Sequence, residues 1–152
     1  QAFYAVYFTV RGDDIDYEAA IGGAAVARAH MEAVKRRLKE EKNAKDEDVL
    51  VSLQPVNEML SRGYEFLPIE LGKSRGSKYV VEDDKVRLPF SALKGLGGAA
   101  AEALERVTIH GEEYISVEEL QQASGVGSSI LDRLRQVGAL GDLPESSQVS
   151  FF

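Results

Sequence analysis

The stretch LKGLGGAAA, residues 93–101, contains a Gly-Leu-Gly triplet between a short apolar segment and an alanine-rich one. A second triplet, Gly-Val-Gly, follows about 30 residues downstream in SVEELQQASGVGSSI, residues 116–130. Helix-forming segments flank both triplets, PFSAL and AAAEALERV around the first, SVEELQQAS and SSILDRLRQV around the second. The sequence therefore predicts two successive units, each made of a short helix, a glycine-rich turn and a second helix.

The residue types in these turns suggest what they bind. Glycine allows a positive φ and a close approach of the backbone to a ligand, while the central Leu96 or Val126 can anchor the turn in the core. Each turn leads into a helix N-terminus, where free N–H groups and the helix dipole favour an anion. This is the pattern of a tandem helix-hairpin-helix, which would hold one phosphate backbone per unit across a duplex minor groove without reading its sequence.

Two ordinary αα-hairpins with glycine C-caps are the alternative. One such turn alone favours that simpler interpretation, whereas the repeat favours phosphate binding. In the first unit the predicted DNA-binding residues are Lys94, Gly95, Leu96, Gly97 and Gly98. The second turn lacks a basic neighbour and could be structural only; its residues are Gly125, Val126 and Gly127.

A basic loop with the sequence KSRGSK lies upstream of the first unit. It carries three positive charges in six residues without an acid, on Lys73, Arg75 and Lys78. It could clamp phosphate or be a solvated turn. Residues 73–106, which include this loop and the first unit, carry seven basic and five acidic side chains, whereas residues 107–152 carry two and seven. The region around the first unit is therefore locally positive in a chain of net charge −7.

The composition limits the class of protein. The chain has 152 residues, of which 44% are hydrophobic, enough to bury a core. It has no cysteine, which excludes disulfides and thiolate sites, and its two histidines, His30 and His110, share no ligand-like spacing. No apolar run is long enough to span a membrane and no signal segment is visible, so we expect no membrane partner.

The sequence contains no pattern that assembles a catalytic or metal site. Asp13, Asp14 and Asp16 are clustered as in two-metal nucleotidyl-transfer sites, but they precede a predicted helix and are expected to cap it instead. There is no GxSxG motif, P-loop or CxxC pair. We therefore predict no catalytic residue, metal ligand or cofactor within this chain.

The remaining patterns predict a mainly α fold with a small β-hairpin or meander, an α+β class. Residues 2–10 have the propensity of a strand, although a buried helix would look similar, and a helix is expected over residues 17–41. After Gly63 the hydrophobic period changes to two, which predicts strands in YEFLPIEL, KYVVE and KVRL, with Pro68 at an edge.

A further helix is predicted between these regions. Asp46 or Asp48 would cap it, and it would run to about Ser61. Pro55 lies inside the pattern and should kink the helix or split it in two. Gly63 is well suited to the left-handed position that follows a helix end.

The C-terminal residues combine one polar residue with apolar ones: Gln148, Val149, Ser150, Phe151 and Phe152. Exposed apolar side chains at a chain end are unfavourable unless something covers them. They could fold back on the body, or they could occupy a hydrophobic pocket of a partner, as short linear motifs do.

This tail resembles the sliding-clamp-binding motif of bacterial replication proteins. Together with the preceding LPESS it is similar to the C-terminal end of the PolC-type alpha subunit of bacterial DNA polymerase III. FYAVYFTVR, SRGYEF, VEDDKVRLPFSALKGLG and SVEELQQASGV are also similar to their counterparts in that family. The resemblance covers essentially the whole chain, and it favours a helix rather than a strand over residues 2–10.

The resemblance implies a segment of a larger replicative polymerase. Residues 1–62 would be the helical end of its fingers region, residues 63–140 a domain that grips the primer-template duplex, and residues 141–152 a flexible tail that binds the beta sliding clamp. The polymerase aspartates and the Mg²⁺ of that family belong to the parent, so this segment would be inactive alone. Its partners would be double-stranded DNA, the beta clamp and the remainder of the polymerase chain, in the bacterial cytoplasm.

The chain departs from the family pattern at three positions. Val149 and Phe151 replace the usual leucines of the tail, and Val149 would fill less of a leucine pocket. Lys94 stands where the family often has proline and would add a phosphate contact. A non-catalytic helical protein-interaction module, with hairpins that only pack, is the alternative function, and duplex binding discriminates between the two.

Overall fold

The computed structural model describes residues 1–11, 15–109, 114 and 116–146. The helices are α1 Ala2–Arg11, α2 Tyr17–Gly22, α3 Ala24–Glu40, α4 Ala44–Ser61, α5 Gly98–Ile109, α6 Val117–Ser124 and α7 Ser128–Gln136. The strands are β1 Phe66–Leu67, β2 Val80–Glu82 and β3 Lys85–Arg87, and Phe90–Ala92 forms a short 3-10 helix. The predicted class, mainly α with a small sheet, is confirmed.

The chain divides into two compact units. The first comprises Gln1–Leu67 and Val81–Val86, and the second comprises Pro68–Val80 together with the described residues from Arg87 onwards. The first unit contains α1 to α4 and most of the sheet, and the second contains the glycine-rich hairpins.

Helix α1 shows that burial, rather than propensity, decides the conformation of residues 2–10. Tyr4, Ala5 and Phe8 are buried on one side of the helix, and the Phe8 ring meets Phe66 edge-on with 5.4 Å between centroids. The hydroxyl of Tyr4 donates to Oε1 of Glu58 at 3.0 Å. The strand suggested by propensity is therefore wrong, and the helix favoured by the family resemblance is confirmed.

The helix predicted over residues 17–41 is interrupted at Gly23, which separates α2 from α3. Gly23 has a φ of 89°, a conformation that ends one helix before the next begins. The backbone N–H of Ala19 donates to Oδ1 of Asp16 at 3.0 Å, so Asp16 caps α2 as expected. The other two candidate caps, Asp13 and Asp14, lie outside the described residues.

Helix α4 differs from its prediction in its N-cap and in its continuity at Pro55. Asn43, not Asp46 or Asp48, is the N-cap, and its Oδ1 accepts from the backbone N–H of Asp46 at 2.7 Å. The predicted split at Pro55 is also wrong, because α4 runs through Pro55 to Ser61. Pro55 removes one N–H donor and crowds the preceding turn, while four apolar side chains on the same helix remain buried: Leu53, Val56, Met59 and Leu60. Gly63 follows the helix end with a φ of 88°, as predicted.

The small sheet has the order β1-β3-β2, so β2 and β3 form the predicted hairpin, while β1 pairs with β3 and the sheet is not a meander. The turn between β2 and β3 places Asp83 and Asp84 at φ values of 50° and 62°. Positive φ at both central residues is the geometry of a tight two-residue hairpin, and aspartate tolerates it better than most side chains. Pro68 directly follows β1, which is an edge strand of the sheet.

The second unit has its own core, which holds the two hairpins together. Helix α5 packs against α6 and against the 3-10 helix, and α6 packs against α7. The side chains that fill this core have no exposed surface: Leu88, Phe90, Leu104, Leu120 and Leu134. These residues position the glycine-rich turns described next.

Candidate nucleic-acid interface

The first glycine-rich turn joins the 3-10 helix to α5. Gly95 has a φ of 89°, which favours glycine strongly, and the backbone N–H of Leu96 donates to the carbonyl of Leu93 at 3.1 Å. Leu96 is 6% exposed and points into the core, while Lys94 is exposed. The expected division between an anchoring leucine and an open turn is therefore present in the structure.

Helix α5 begins with its backbone open to solvent. Gly97 and Gly98 are exposed, and a Cβ atom placed on either would meet no atom within 4 Å. The first turn of α5 contains no acidic side chain. Free N–H groups at a helix N-terminus carry partial positive charge, so this surface can accept an anion directly on the backbone.

The second turn joins α6 to α7 with a closely related geometry. Gly125 caps α6 in the left-handed conformation, with a φ of 73°, and its N–H donates to the carbonyl of Gln121 at 2.8 Å. Val126 is 6% exposed, and Gly127 is the N-cap of α7 without a side-chain cap. Both predicted units are thus helix–turn–helix hairpins with a buried central residue.

The first hairpin differs from its prediction in the length of its first helix. PFSAL forms a 3-10 helix of only three residues, Phe90–Ala92. The helix ends at Leu93, whose backbone is extended. The N–H groups of Phe90 and Ser91 have no partner within the helix and donate to the carbonyls of Arg75 and Gly76 in the basic loop at 2.8 and 2.9 Å. The loop thus pairs with the segment that leads into the first turn.

The basic loop is packed rather than loose. Gly76 is buried, and a Cβ atom placed on it would lie 3.2 Å from the carbonyl oxygen of Ala101 in α5. Ser74 has no exposed surface, and its hydroxyl donates to the carbonyl of Leu88 at 2.7 Å. The loop backbone is therefore held against α5 and the start of the first hairpin.

The cations of this region differ in their pairing. Nη1 of Arg75 lies 3.9 Å from Oε1 of Glu105, and Nζ of Lys73 lies 3.9 Å from Oε2 of Glu70. Within the described part of the chain, Lys78 and Lys94 have no ion pair. The charges most available to an external anion are therefore those of Lys78 and Lys94.

One cation near the first turn was missed by the sequence analysis. A Cβ atom placed on Gly95 would lie 3.3 Å from Nη1 and 3.5 Å from Cζ of Arg133, which belongs to α7. The two hairpins therefore meet at Gly95. The sequence signal was present in the basic residues of α7, but only the fold shows which of them reaches the first turn.

The remaining candidate residues do not form a second site. Nδ1 of His30 lies 3.0 Å from Oδ2 of Asp16, which also caps α2. Among the residues that the structure describes, no group of three or more histidine and acidic side chains could hold a metal ion. No helix in the described ranges is long and apolar enough to cross a membrane. His110 lies outside the described residues.

The predicted tail motif, Gln148–Phe152, also lies outside the described residues, but the segment leading to it is held in place. The carbonyl of Pro144 accepts from the N–H of Val117 at 2.8 Å, and that of Glu145 accepts from the N–H of Glu118 at 3.0 Å. The carboxylate of Glu145 pairs with Arg135 of α7. The root of the tail is therefore bound to the second hairpin.

Comparisons with known proteins agree with this geometry. A family described as "Helix-hairpin-helix motif" matches residues 63–149. The chain is similar to proteins named DNA polymerase III PolC-type from Bacillus cereus (37% identical over 150 residues), Thermotoga petrophila (37% over 155 residues) and Streptococcus thermophilus (34% over 151 residues). Each alignment covers 99% of this chain and 10 to 11% of the relative. The chain thus spans about a tenth of the length of these relatives.

Proposed function

Because the chain belongs to the helix-hairpin-helix family that its residues 63–149 match, we propose that this region binds double-stranded DNA through backbone phosphates. The observation that carries the proposal is the pair of hairpins with buried central residues, Leu96 and Val126, and exposed glycine backbone beside them. Contacts of this kind fix the position of a protein on a duplex without specifying its sequence.

In this proposal the first turn makes the main phosphate contact. Lys94 and the exposed backbone of Gly95, Gly97 and Gly98 would bind one phosphate, with Leu96 holding the turn in place. The basic loop would support this contact through Lys73, Arg75 and Lys78. Lys78 contributes most of the three, since Lys73 and Arg75 already lie near carboxylates. We assign the second turn, Gly125 to Gly127, a weaker contact or a packing role.

We further propose that the chain acts as the duplex-holding segment of a replicative DNA polymerase. The support is homology to proteins named DNA polymerase III PolC-type over 99% of the chain. Nucleotide addition, with its Mg²⁺, is assigned to the remainder of such a polymerase, and this segment would keep the primer-template duplex engaged. A bacterial replication enzyme of this kind would act in the cytoplasm.

The tail motif, Gln148–Phe152, is proposed to bind the beta sliding clamp. Its support is the sequence pattern of these residues and the attachment of the preceding residues Pro144 and Glu145 to α6. A bound root with a short tether beyond it would keep the motif near the duplex-binding hairpins.

Duplex binding tests the main proposal. Anisotropy of a short fluorescent duplex should rise on addition of the 152-residue chain at low salt and fall steeply as salt is added. Lys94→Glu should weaken binding about tenfold or more at about 50 mM salt, because it removes a phosphate contact and adds repulsion. Lys39→Glu changes an exposed lysine of α3 by the same charge and should have little effect. The absence of duplex binding even at low salt would refute the proposed function.

A further inference from the structure

Arg133 belongs to the second hairpin but lies beside the turn of the first. Its guanidinium lies against Gly95 of the first turn, where an added Cβ would be 3.3 Å from Nη1, 3.5 Å from Cζ and 3.8 Å from Nε. Because residue 95 has no side chain, the guanidinium can lie against the turn backbone without displacement. The second hairpin thus brings a positive charge to the first turn.

The charges around Arg133 leave it without a counterion. On the same helix Nη1 of Arg135 lies 3.0 Å from Oδ1 of Asp132, and Arg135 also pairs with Glu145. The carboxylates of Asp132 and Glu145 are therefore both paired with Arg135. The side chain of Arg133, an exposed residue, forms no hydrogen bond or ion pair within the described ranges. Its position in α7 therefore leaves its five N–H donors available to an external acceptor.

The neighbourhood of Gly95 is correspondingly positive. Lys94 precedes Gly95 in the chain and is exposed, with no ion pair among the described residues. Two cations from different hairpins, Lys94 and Arg133, thus flank one glycine turn. A phosphate fits this arrangement, because an arginine binds a phosphate through two parallel N–H···O bonds while a lysine contributes a point charge.

We propose that Arg133 is a phosphate-binding residue of the duplex interface, which the second hairpin supplies to the site formed by the first turn. This inference rests on the proposed duplex binding and deepens it. It also gives the second hairpin a role that does not depend on cations at its own turn. The phosphate site is then shared by both hairpins, so neither would bind the duplex fully alone.

A matched pair of arginine variants tests the inference. Arg133→Gln and Arg135→Gln remove the same charge from the same helix, but only Arg133 contacts the first turn. Arg133→Gln should weaken duplex binding about tenfold at about 50 mM salt and reduce the slope of log affinity against log salt by about 0.9, the value for one lost phosphate contact. Arg135→Gln should change the affinity less than about twofold and leave the slope unchanged.

A charge-preserving variant separates binding from folding. Arg133→Lys keeps the positive charge without the planar fork, so it should retain the salt slope of the wild type and lose only part of the affinity. Thermal unfolding should be measured for each variant, and a melting temperature close to that of the wild type would show that the hairpins remain folded. Equal affinities and equal slopes for Arg133→Gln and Arg135→Gln, with the wild type still binding and Lys94→Glu still defective, would overturn the role of Arg133 alone. Loss of duplex binding by the wild type would instead overturn the proposed function itself.

Discussion

At the scale of single residues, Gly76 and Gly97 differ in the space available for a side chain. Gly76 is packed against a helix backbone, whereas Gly97 faces open space. A Cβ atom on Gly76 would lie 3.2 Å from the carbonyl oxygen of Ala101 and 3.3 Å from the backbone nitrogen of Glu102. Helix backbone cannot move aside as a flexible side chain can. We expect Gly76→Ala to lower the free energy of unfolding by about 1–3 kcal/mol, as overpacking does, measurable by urea denaturation.

Gly97→Ala provides the control for that substitution. A Cβ atom on Gly97 would meet no atom within 4 Å, and its φ is not positive. The free energy of unfolding should therefore stay within about 0.5 kcal/mol of the wild type. Duplex affinity should nevertheless fall, because the methyl group would separate the turn backbone from a bound phosphate. A Gly97→Ala variant that binds the duplex like the wild type would contradict the close backbone approach.

Asp46 supplies a pH-dependent contribution to the stability of the first unit. Its pKa is lowered from the usual range, first by the hydrogen bond from Nδ2 of Asn43 at 2.9 Å and then by Arg37, whose Nη2 lies 3.2 Å from Oδ1. Because the folded pKa is below the unfolded one, the stabilisation is complete above the unfolded pKa. It is lost as the pH falls through the folded pKa.

Substitution of Asp46 should reproduce this behaviour. The melting temperature of Asp46→Asn should lie below that of the wild type at neutral pH, and the difference should shrink as the solution is acidified below the folded pKa. Asp48→Asn removes the same charge from the same helix at a side chain with no hydrogen bond or ion pair in the described part of the chain, so it should change stability little at neutral pH. A difference for Asp46→Asn that grows on acidification would contradict this assignment.

The sequence predicted the turn residues of the hairpins correctly, but it did not predict which residues contact one another. Leu96, Val126 and the glycines beside them could be identified as turn residues because their spacing repeats. The cap of α4 could not, since Asn43 and Asp46 are both good capping residues and only the actual end of the preceding turn selects one. Arg133 could not be assigned either, because its contact with Gly95 depends on how the hairpins pack.

At the scale of elements, the period of the hydrophobic residues and the positions of the glycines predicted most of the helices and strands. The helices of the two hairpins follow from the glycine repeat, and the β2–β3 hairpin follows from the change to a period of two. The wrong predictions concern segments whose conformation depends on contacts that the sequence pattern does not show. Helix α1 has strand-forming residues but buries Tyr4 and Phe8 on one face. The first helix of the first hairpin is a 3-10 helix of only three residues, because the backbone is already extended at Leu93.

Helix α6 gains its N-terminal hydrogen bonds from the root of the tail. The carbonyls of Pro144 and Glu145 accept from the N–H groups of Val117 and Glu118, while the Ser116 hydroxyl oxygen accepts from Glu119. Removal of residues 144–152 would leave two helix N–H groups without these partners. We expect this truncation to lower the free energy of unfolding by about 1–2 kcal/mol, a cost typical of lost caps.

A shorter truncation is the control for this effect. Deletion of Gln148–Phe152 retains Pro144 and Glu145, so the capping hydrogen bonds should persist and thermal stability should be close to that of the wild type. If both truncations destabilise the chain equally, the capping role of the tail root is wrong.

At the scale of the whole molecule, charge is unevenly distributed along an acidic chain. The net charge is −7, yet residues 73–106 carry seven basic and five acidic side chains, and Lys73 and Arg75 within them already lie near carboxylates. Few free cations imply few phosphate contacts, and therefore weak duplex binding by this chain alone. A second attachment through the tail would raise the effective concentration of duplex at the hairpins without adding contacts to the DNA.

The two proposed binding activities, to duplex and to clamp, lie in different parts of the chain and should therefore be separable. Deletion of Gln148–Phe152 should abolish binding to an immobilised beta clamp and leave duplex affinity unchanged, because the hairpins and the tail root remain. Lys94→Glu should do the reverse, weakening the duplex contact without affecting the clamp. Surface-binding measurements with the clamp and anisotropy with the duplex, made on both variants, distinguish the two activities. Clamp affinity that is unchanged by the deletion would show that the C-terminal motif is not the tether, whereas a loss of both activities in either variant would show that the two sites are not independent.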